Sequence, residues 1–180
     1  MNISVRQAHE EDLSSIVNYF YQASDEHLKG MGADPTKLPA LDGWLALLKA
    51  QLSLSYPAKE YFYMIWELEG EAIGHNNINQ IKFGQQAFMH LHLWKELSRK
   101  KGLGTALLRK SIPYFFKFFE LQNLYCEPFA GNPAPNRTLA KLGFQLERTY
   151  VTIPGTINYQ QEVNRWCLSK LDFEHNMLNL

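Results

Sequence analysis

Apolar and polar residues alternate at positions 3–7, and the chain then places Leu13, Ile16, Val17 and Phe20 at helical spacing behind Glu10, Glu11 and Asp12. Period two marks a strand and the i, i+3, i+4 spacing marks a helix, with acids where the helix dipole favours them. Between 25 and 39 periodicity is lost and Gly30, Gly32, Pro35 and Pro39 accumulate, which predicts a long loop before a helix at 41–53. Residues 61–67 read as a strand, Gly70 as a turn and 72–80 as the next strand. A turn near 82–85 then closes a hairpin between 74–80 and 88–94. Centring the turn there opposes His75 to His92 and Asn77 to His90. One face of the hairpin then carries His75, Asn77, His90 and His92, while Ile78, Met89, Leu91 and Leu93 share the other.

The second half predicts a helix at 105–120 interrupted by Pro113, a short strand at 123–127 and a loop at 132–136. A helix at 136–142 stopped by Gly143 follows, and then strands at 144–152 and 163–168. Residues 171–180 show no pattern. Without repeats or a linker, the expectation is a single domain over 1–170 with a C-terminal tail at 171–180.

Composition narrows the class of partner. A chain of 180 residues that is 46% hydrophobic can bury a sizeable core. Its 18 basic and 18 acidic residues cancel, so no global field favours nucleic acid or a membrane surface. The expected partners are small or locally recognised, and a homodimer is compatible with this balance. Cys126 and Cys167 sit in apolar runs and form no spaced set, so neither a disulfide nor a zinc framework is expected. The amino terminus lacks a signal-peptide layout and no apolar run approaches the ~20 residues of a membrane span, which makes the cytoplasm the default location.

Against this neutral background the stretch 99–105 stands out. Arg99, Lys100 and Lys101 precede Gly102, Leu103, Gly104 and Thr105, at a point where a strand gives way to a helix. Unpaired N–H groups at a helix start, the positive end of its dipole and three cations form a phosphate site. The lysines precede the glycines, contrary to a Walker loop, and Leu107 stands where a dinucleotide fingerprint needs its third glycine. Arg99-x-x-Gly102-x-Gly104 instead resembles the Arg/Gln-x-x-Gly-x-Gly/Ala signature of the GCN5-related N-acetyltransferase (GNAT) family. In that family the loop holds the pyrophosphate of acetyl-coenzyme A. A second motif accompanies it: Asn132-Pro133-Ala134-Pro135, with Pro135 in place of the family's alanine, and Gly143-Phe144 stand where the family has Asn-x-x-Ala and Gly-Phe.

The resemblance spans nearly the whole chain and implies an α/β (α+β) fold, with a mixed, mostly antiparallel sheet of six to seven strands flanked by about four helices. It also implies an acetyl-coenzyme A-dependent transfer of acetyl to a primary amine by direct attack, with acetyl-coenzyme A as cosubstrate and no metal. A catalytically weak acyl-coenzyme A-binding sensor with the same fold is the alternative. Coenzyme contacts are expected from Arg99, Lys100, Lys101, Gly102, Leu103, Gly104, Thr105, Asn132 and Asn136, and the backbone N–H of Leu93 or Trp94 is expected to meet the acetyl carbonyl.

Attack by an amine needs a base, because a protonated amine has no lone pair to offer. Glu127 lies five residues before Asn132, where ribosomal-protein-type members of the family carry a catalytic glutamate. His92 and His90 are rival bases, since imidazole titrates near neutrality. Three histidines on one face suggest zinc, but no carboxylate or cysteine is placed to complete a site. Many members have a tyrosine leaving-group acid four residues before the Gly-Phe glycine; this chain has Leu139, which leaves Tyr125, Tyr150 and Tyr159 as unranked substitutes. Trp44 is a candidate wall for the acceptor pocket. The acceptor itself, a small amine or a peptide or protein amine, is not specified by the residues, and Asp25, Glu26, Asp34 and Asp42 permit a polycation without requiring one.

Overall fold

The computed structural model describes residues 2–94 and 102–178, the side chains of 177 and 178 excepted. Seven strands form one sheet in the order β1-β2-β3-β4-β5-β7-β6. They are β1 (Ile3–Gln7), β2 (Phe62–Leu68), β3 (Glu71–Lys82), β4 (Gln86–Leu93), β5 (Asn123–Cys126), β6 (Gln145–Thr152) and β7 (Gln161–Ser169). Every neighbouring pair is antiparallel except β4 and β5. The helices are α1 (Leu13–Tyr21), α2 (Asp25–Gly30), α3 (Leu41–Leu52), α4 (Leu103–Phe119), α5 (Pro133–Lys141) and α6 (Lys170–Leu178).

Helices cover both faces of the sheet. On one side α4 presents Leu107, Leu108, Ile112, Phe115 and Phe119 to Met64, Trp66, Ile78, Met89 and Leu124. On the other, Leu13, Ile16, Val17 and Leu48 of α1 and α3 close over Ile65. β2 is thus apolar on both faces, which is why its sequence runs hydrophobic without alternation. The hairpin register matches the sequence reading, with His75 opposite His92, Asn77 opposite His90 and Ile78 opposite Met89.

Three segments differ from the sequence reading. The region 25–39 contains a short helix, α2, whose amino end is capped by Ser24 accepting from the His27 N–H. Six residues are too few to display a helical period. Of the segment expected to be a patternless tail, residues 171–178 are helical: α6 lays Phe173 flat on Phe116 with ring centroids 4.5 Å apart. That contact is tertiary and leaves no periodic trace in the sequence. Finally, α5 begins at Pro133 instead of 136, because Asn132 caps it and proline suits the first helical position. Pro113 leaves α4 continuous, the buried residues on either side of it holding the helix to the sheet.

Candidate active site

The site is built on a divergence of two strands. β4 pairs with β5 only over Gln86, Ala87 and Phe88, whereas β4 runs on to Leu93. Beyond Glu127 the chain turns to β7: the Asn164 N–H donates to the Pro128 carbonyl at 3.1 Å and the Ala130 N–H to the Glu162 carbonyl at 2.9 Å. A slot opens between the end of β4 and the segment that follows β5. The Trp94 N–H donates to the Ile73 carbonyl at 2.9 Å, and antiparallel ladders alternate, so the amides of Leu91 and Leu93 are directed toward the slot. Of the two amides expected to meet an acetyl carbonyl, that of Trp94 is corrected: its N–H is engaged by β3.

At the same end of the slot α4 begins. Gly102 caps it with φ +70, a left-handed conformation that favours glycine, and the first intrahelical bond is from the Ala106 N–H to the Gly102 carbonyl at 3.1 Å. The amides of Leu103, Gly104 and Thr105 thus have no acceptor within the helix. A β-carbon on Gly104 would stand 3.9 Å from Leu93, which sets the start of α4 against the end of β4. Arg99, Lys100 and Lys101, expected to contact the pyrophosphate, lie outside the described residues.

On the face away from α4 the imidazoles gather under α1. The Trp94 indole N–H donates to His75 Nδ1 at 2.8 Å, which puts the remaining proton of a neutral His75 on Nε2. His90 Nε2 pairs with Asn79 Oδ1 at 3.1 Å. The rings of His75 and His92 lie 4.9 Å apart, and Tyr19 and Phe20 cover His92 at 5.4 and 5.0 Å. His75 Nε2 and His92 Nδ1 are buried without a hydrogen-bond partner. Burial, with His90 nearby, lowers His75 to about 3, and burial lowers His90 to about 4. Burial, followed by the neighbouring imidazoles, also lowers His92 well below its ordinary value. Among the described residues, no group of three His, Cys, Asp or Glu is arranged to hold a metal.

These depressed values fix the sign of a pH effect. Above about 6.5, the unfolded-chain value, neither state binds a proton at these rings; as pH falls toward 4 the unfolded chain takes up protons that the buried rings do not. Stability is therefore expected to decline from pH 7 to 4.5, by about 1 kcal/mol or more for each buried imidazole. Carboxylates titrate mainly below about pH 5, so the part of this window above it reports the histidines. A melting temperature that stays flat over that interval would contradict the burial of neutral rings.

Across the slot, on the face shared with His90 and His92, stands Glu127. Phe88 and Tyr125 stack at 5.3 Å and carry this face from β4 to β5, and period two extends it to Glu127. The Tyr150 hydroxyl donates to Glu127 Oε1 at 2.5 Å, and Arg165 Nη1 lies 3.6 Å from the same oxygen. The Arg165 guanidinium covers the Tyr125 ring at 4.3 Å and the Phe88 ring at 5.3 Å. Its Nε is 3.3 Å from Glu147 but lacks hydrogen-bond alignment with it. The sequence reading missed Arg165. Its one signal was a cation among the apolar residues Val163, Trp166, Cys167 and Leu168.

The remaining candidates are occupied elsewhere. Asn132 Oδ1 caps α5 by accepting from the Ala134 N–H at 3.3 Å. Asn136, expected as a coenzyme contact, donates to the carbonyls of Asn132 and Phe129 and accepts from Trp166 Nε1 and Asn164 Nδ2. Both donors and both lone pairs are spent within the protein, so it is corrected to a brace between α5 and β7. The Tyr159 hydroxyl donates to the Lys29 carbonyl, and Leu139 is fully buried. Cys126 is buried with its thiol pushed up to about 12, which keeps it protonated and unreactive. Trp44 packs on Phe20 at 5.1 Å. A cavity of about 540 Å³ does open beside the imidazoles, walled by Asn18, Tyr19, Gln22, Ser24, His27 and Trp94.

Solved structures share this architecture across their full lengths. The ribosomal-protein-S5-alanine acetyltransferase from Vibrio fischeri superposes with a TM-score of 0.77 at 20% identity, over 96% of each chain. The spermidine N-acetyltransferase from Vibrio cholerae, in complex with CoA and spermine, gives 0.76 at 18% identity over 96% of this chain and 98% of its own. An aminoglycoside acetyltransferase in complex with coenzyme A and kanamycin gives 0.72 at 19%, over 97% and 98%. No curated protein matches the chain in sequence. The family model described as "Acetyltransferase (GNAT) domain" matches residues 2–145, and with the slot between β4 and β5 it places the chain in the GNAT acetyltransferase family.

Proposed function

We propose that the protein transfers an acetyl group from acetyl-coenzyme A to a primary amine by direct attack in a ternary complex. The observation that carries this reading is the slot: α4 opens at one end of it, and a carboxylate and two imidazoles line its far face. The first-turn amides of α4, with Arg99, Lys100 and Lys101, hold the pyrophosphate, and the Leu93 amide donates to the acetyl oxygen as negative charge develops there. The amine nitrogen attacks the carbonyl carbon, the C–N bond forms and the C–S bond breaks. The amine proton passes to Glu127, and coenzyme A leaves as the thiolate. Neutral His92 and His90 are the alternative proton acceptors.

The acceptor enters through the cavity between α1, α2 and Trp94, whose polar lining suits either a small amine or the end of a peptide. The structural relatives act on both kinds of amine, and the acceptor class is carried over no further than that. Leu139, apolar and buried where a leaving-group acid would stand, favours a second reading, an acyl-coenzyme A sensor without turnover. Both readings require the coenzyme to bind. At a ligand concentration 100-fold above Kd the folded state gains ~2.7 kcal/mol, a rise in melting temperature of about 5–10 °C. Unchanged melting with both acetyl-coenzyme A and coenzyme A would overturn the two readings together.

A further inference from the structure

We infer that Tyr150 and Arg165 are positioning residues that grip one oxygen of Glu127 and aim the other at the amine, an inference that rests on Glu127 being the base of the proposed reaction. Both partners converge on Oε1: the Tyr150 hydroxyl at 2.5 Å and Arg165 Nη1 at 3.6 Å. Glu127 Oε2 has no hydrogen-bond partner among the described residues. A carboxylate held by one oxygen loses rotation about its terminal bond, and its second oxygen then has a fixed direction.

The grip is itself anchored. Arg165 lies on the Tyr125 and Phe88 rings, which belong to the two strands that diverge to form the slot, and Glu147 balances its charge from β6. The base is thus referenced to both walls of the slot through a single guanidinium. Burial, and then Glu127 itself, raise the Tyr150 hydroxyl above its ordinary value, so it stays protonated and donates across the neutral range. This assigns Tyr150 a role other than protonating the leaving thiolate.

The distinction is testable because a residue acting through Glu127 has nothing left to do once Glu127 is gone. Tyr150→Phe keeps the ring beneath Arg148, whose guanidinium covers it at 4.5 Å, and removes only the hydroxyl. The variant is expected to lose about tenfold to a hundredfold in kcat, with KM for acetyl-coenzyme A unchanged. The double variant with Glu127→Gln is expected to be no slower than Glu127→Gln alone. Losses that multiply would overturn the inference and make Tyr150 an independent participant. Wild-type kcat in Tyr150→Phe beside an impaired Glu127→Gln would also overturn it while leaving the base assignment standing. Wild-type turnover in Glu127→Gln would remove the base assignment, and this inference with it, while coenzyme-dependent thermal stabilisation still tested the fold's use of acetyl-coenzyme A.

Discussion

Glu127→Gln is expected to lower kcat by about 10²–10⁴-fold, the usual contribution of a positioned general base. The substitution is nearly isosteric and leaves an acceptor oxygen for Tyr150, so the β5–β6–β7 packing should persist and the effect should fall on chemistry. KM for acetyl-coenzyme A should hold, because in the proposed reaction the pyrophosphate is held by the first-turn amides of α4 and not by the carboxylate. The amine loses its proton in the step that forms the C–N bond, so a missing base penalises the transition state more than the ground state. A parallel His92→Ala variant separates the two candidate bases. If Glu127→Gln turns over at the wild-type rate and His92→Ala does not, the proton acceptor is the imidazole.

The largest effect on stability is expected from Trp66→Ala. Trp66 is fully buried on β2 against α4, and its indole N–H donates to the Ser111 hydroxyl at 3.4 Å. Truncation removes a bicyclic ring from a core that cannot collapse around the void, because strands hydrogen-bonded on both sides fix its walls. The expected cost is ~3–5 kcal/mol, or a fall of about 6–20 °C in the melting temperature. Calorimetry reads it directly, and a shift below about 2 °C would contradict the packing of α4 on β2.

The parts of this molecule that were legible in its sequence are those fixed by local period. The β3–β4 hairpin could be registered residue by residue because both strands alternate and one turn joins them, so His75 meets His92 as expected. The start of α4 was readable because glycines and a helix-forming run adjoin. What escaped is what distant segments build together. Glu127 could be singled out, but Tyr150 and Arg165 reach it only because β7 inserts between β5 and β6, an order that no local pattern reveals. Asn136 reads in sequence as a coenzyme contact or a cap; its bonds to Trp166 and Asn164 belong to a strand nearly thirty residues away. The helix α6 was hidden for the same reason, its anchor being a ring on α4.

The histidine face carries a related lesson. In sequence, three imidazoles on one face suggest proton traffic or a metal. In the fold, Tyr19 and Phe20 roof them, and burial holds them neutral well below pH 7. A neutral imidazole can accept a proton, but one whose protonated form is this disfavoured is a weak base. Glu127, hydrogen-bonded through one oxygen with the other uncommitted, is the better candidate for the task.

Acetyl transfer itself tests the central claim most directly. The purified protein is incubated with acetyl-coenzyme A and a panel comprising a polyamine, an aminoglycoside and a peptide with a free amino terminus. Thiol release and the mass of each amine are then followed together. Transfer predicts that thiol appears in step with a 42-dalton gain on at least one amine, the mass of an acetyl group replacing hydrogen, roughly one for one. Thermal stabilisation by acetyl-coenzyme A, with neither thiol nor acetylated amine formed from any member of the panel, would contradict the enzyme and leave the sensor.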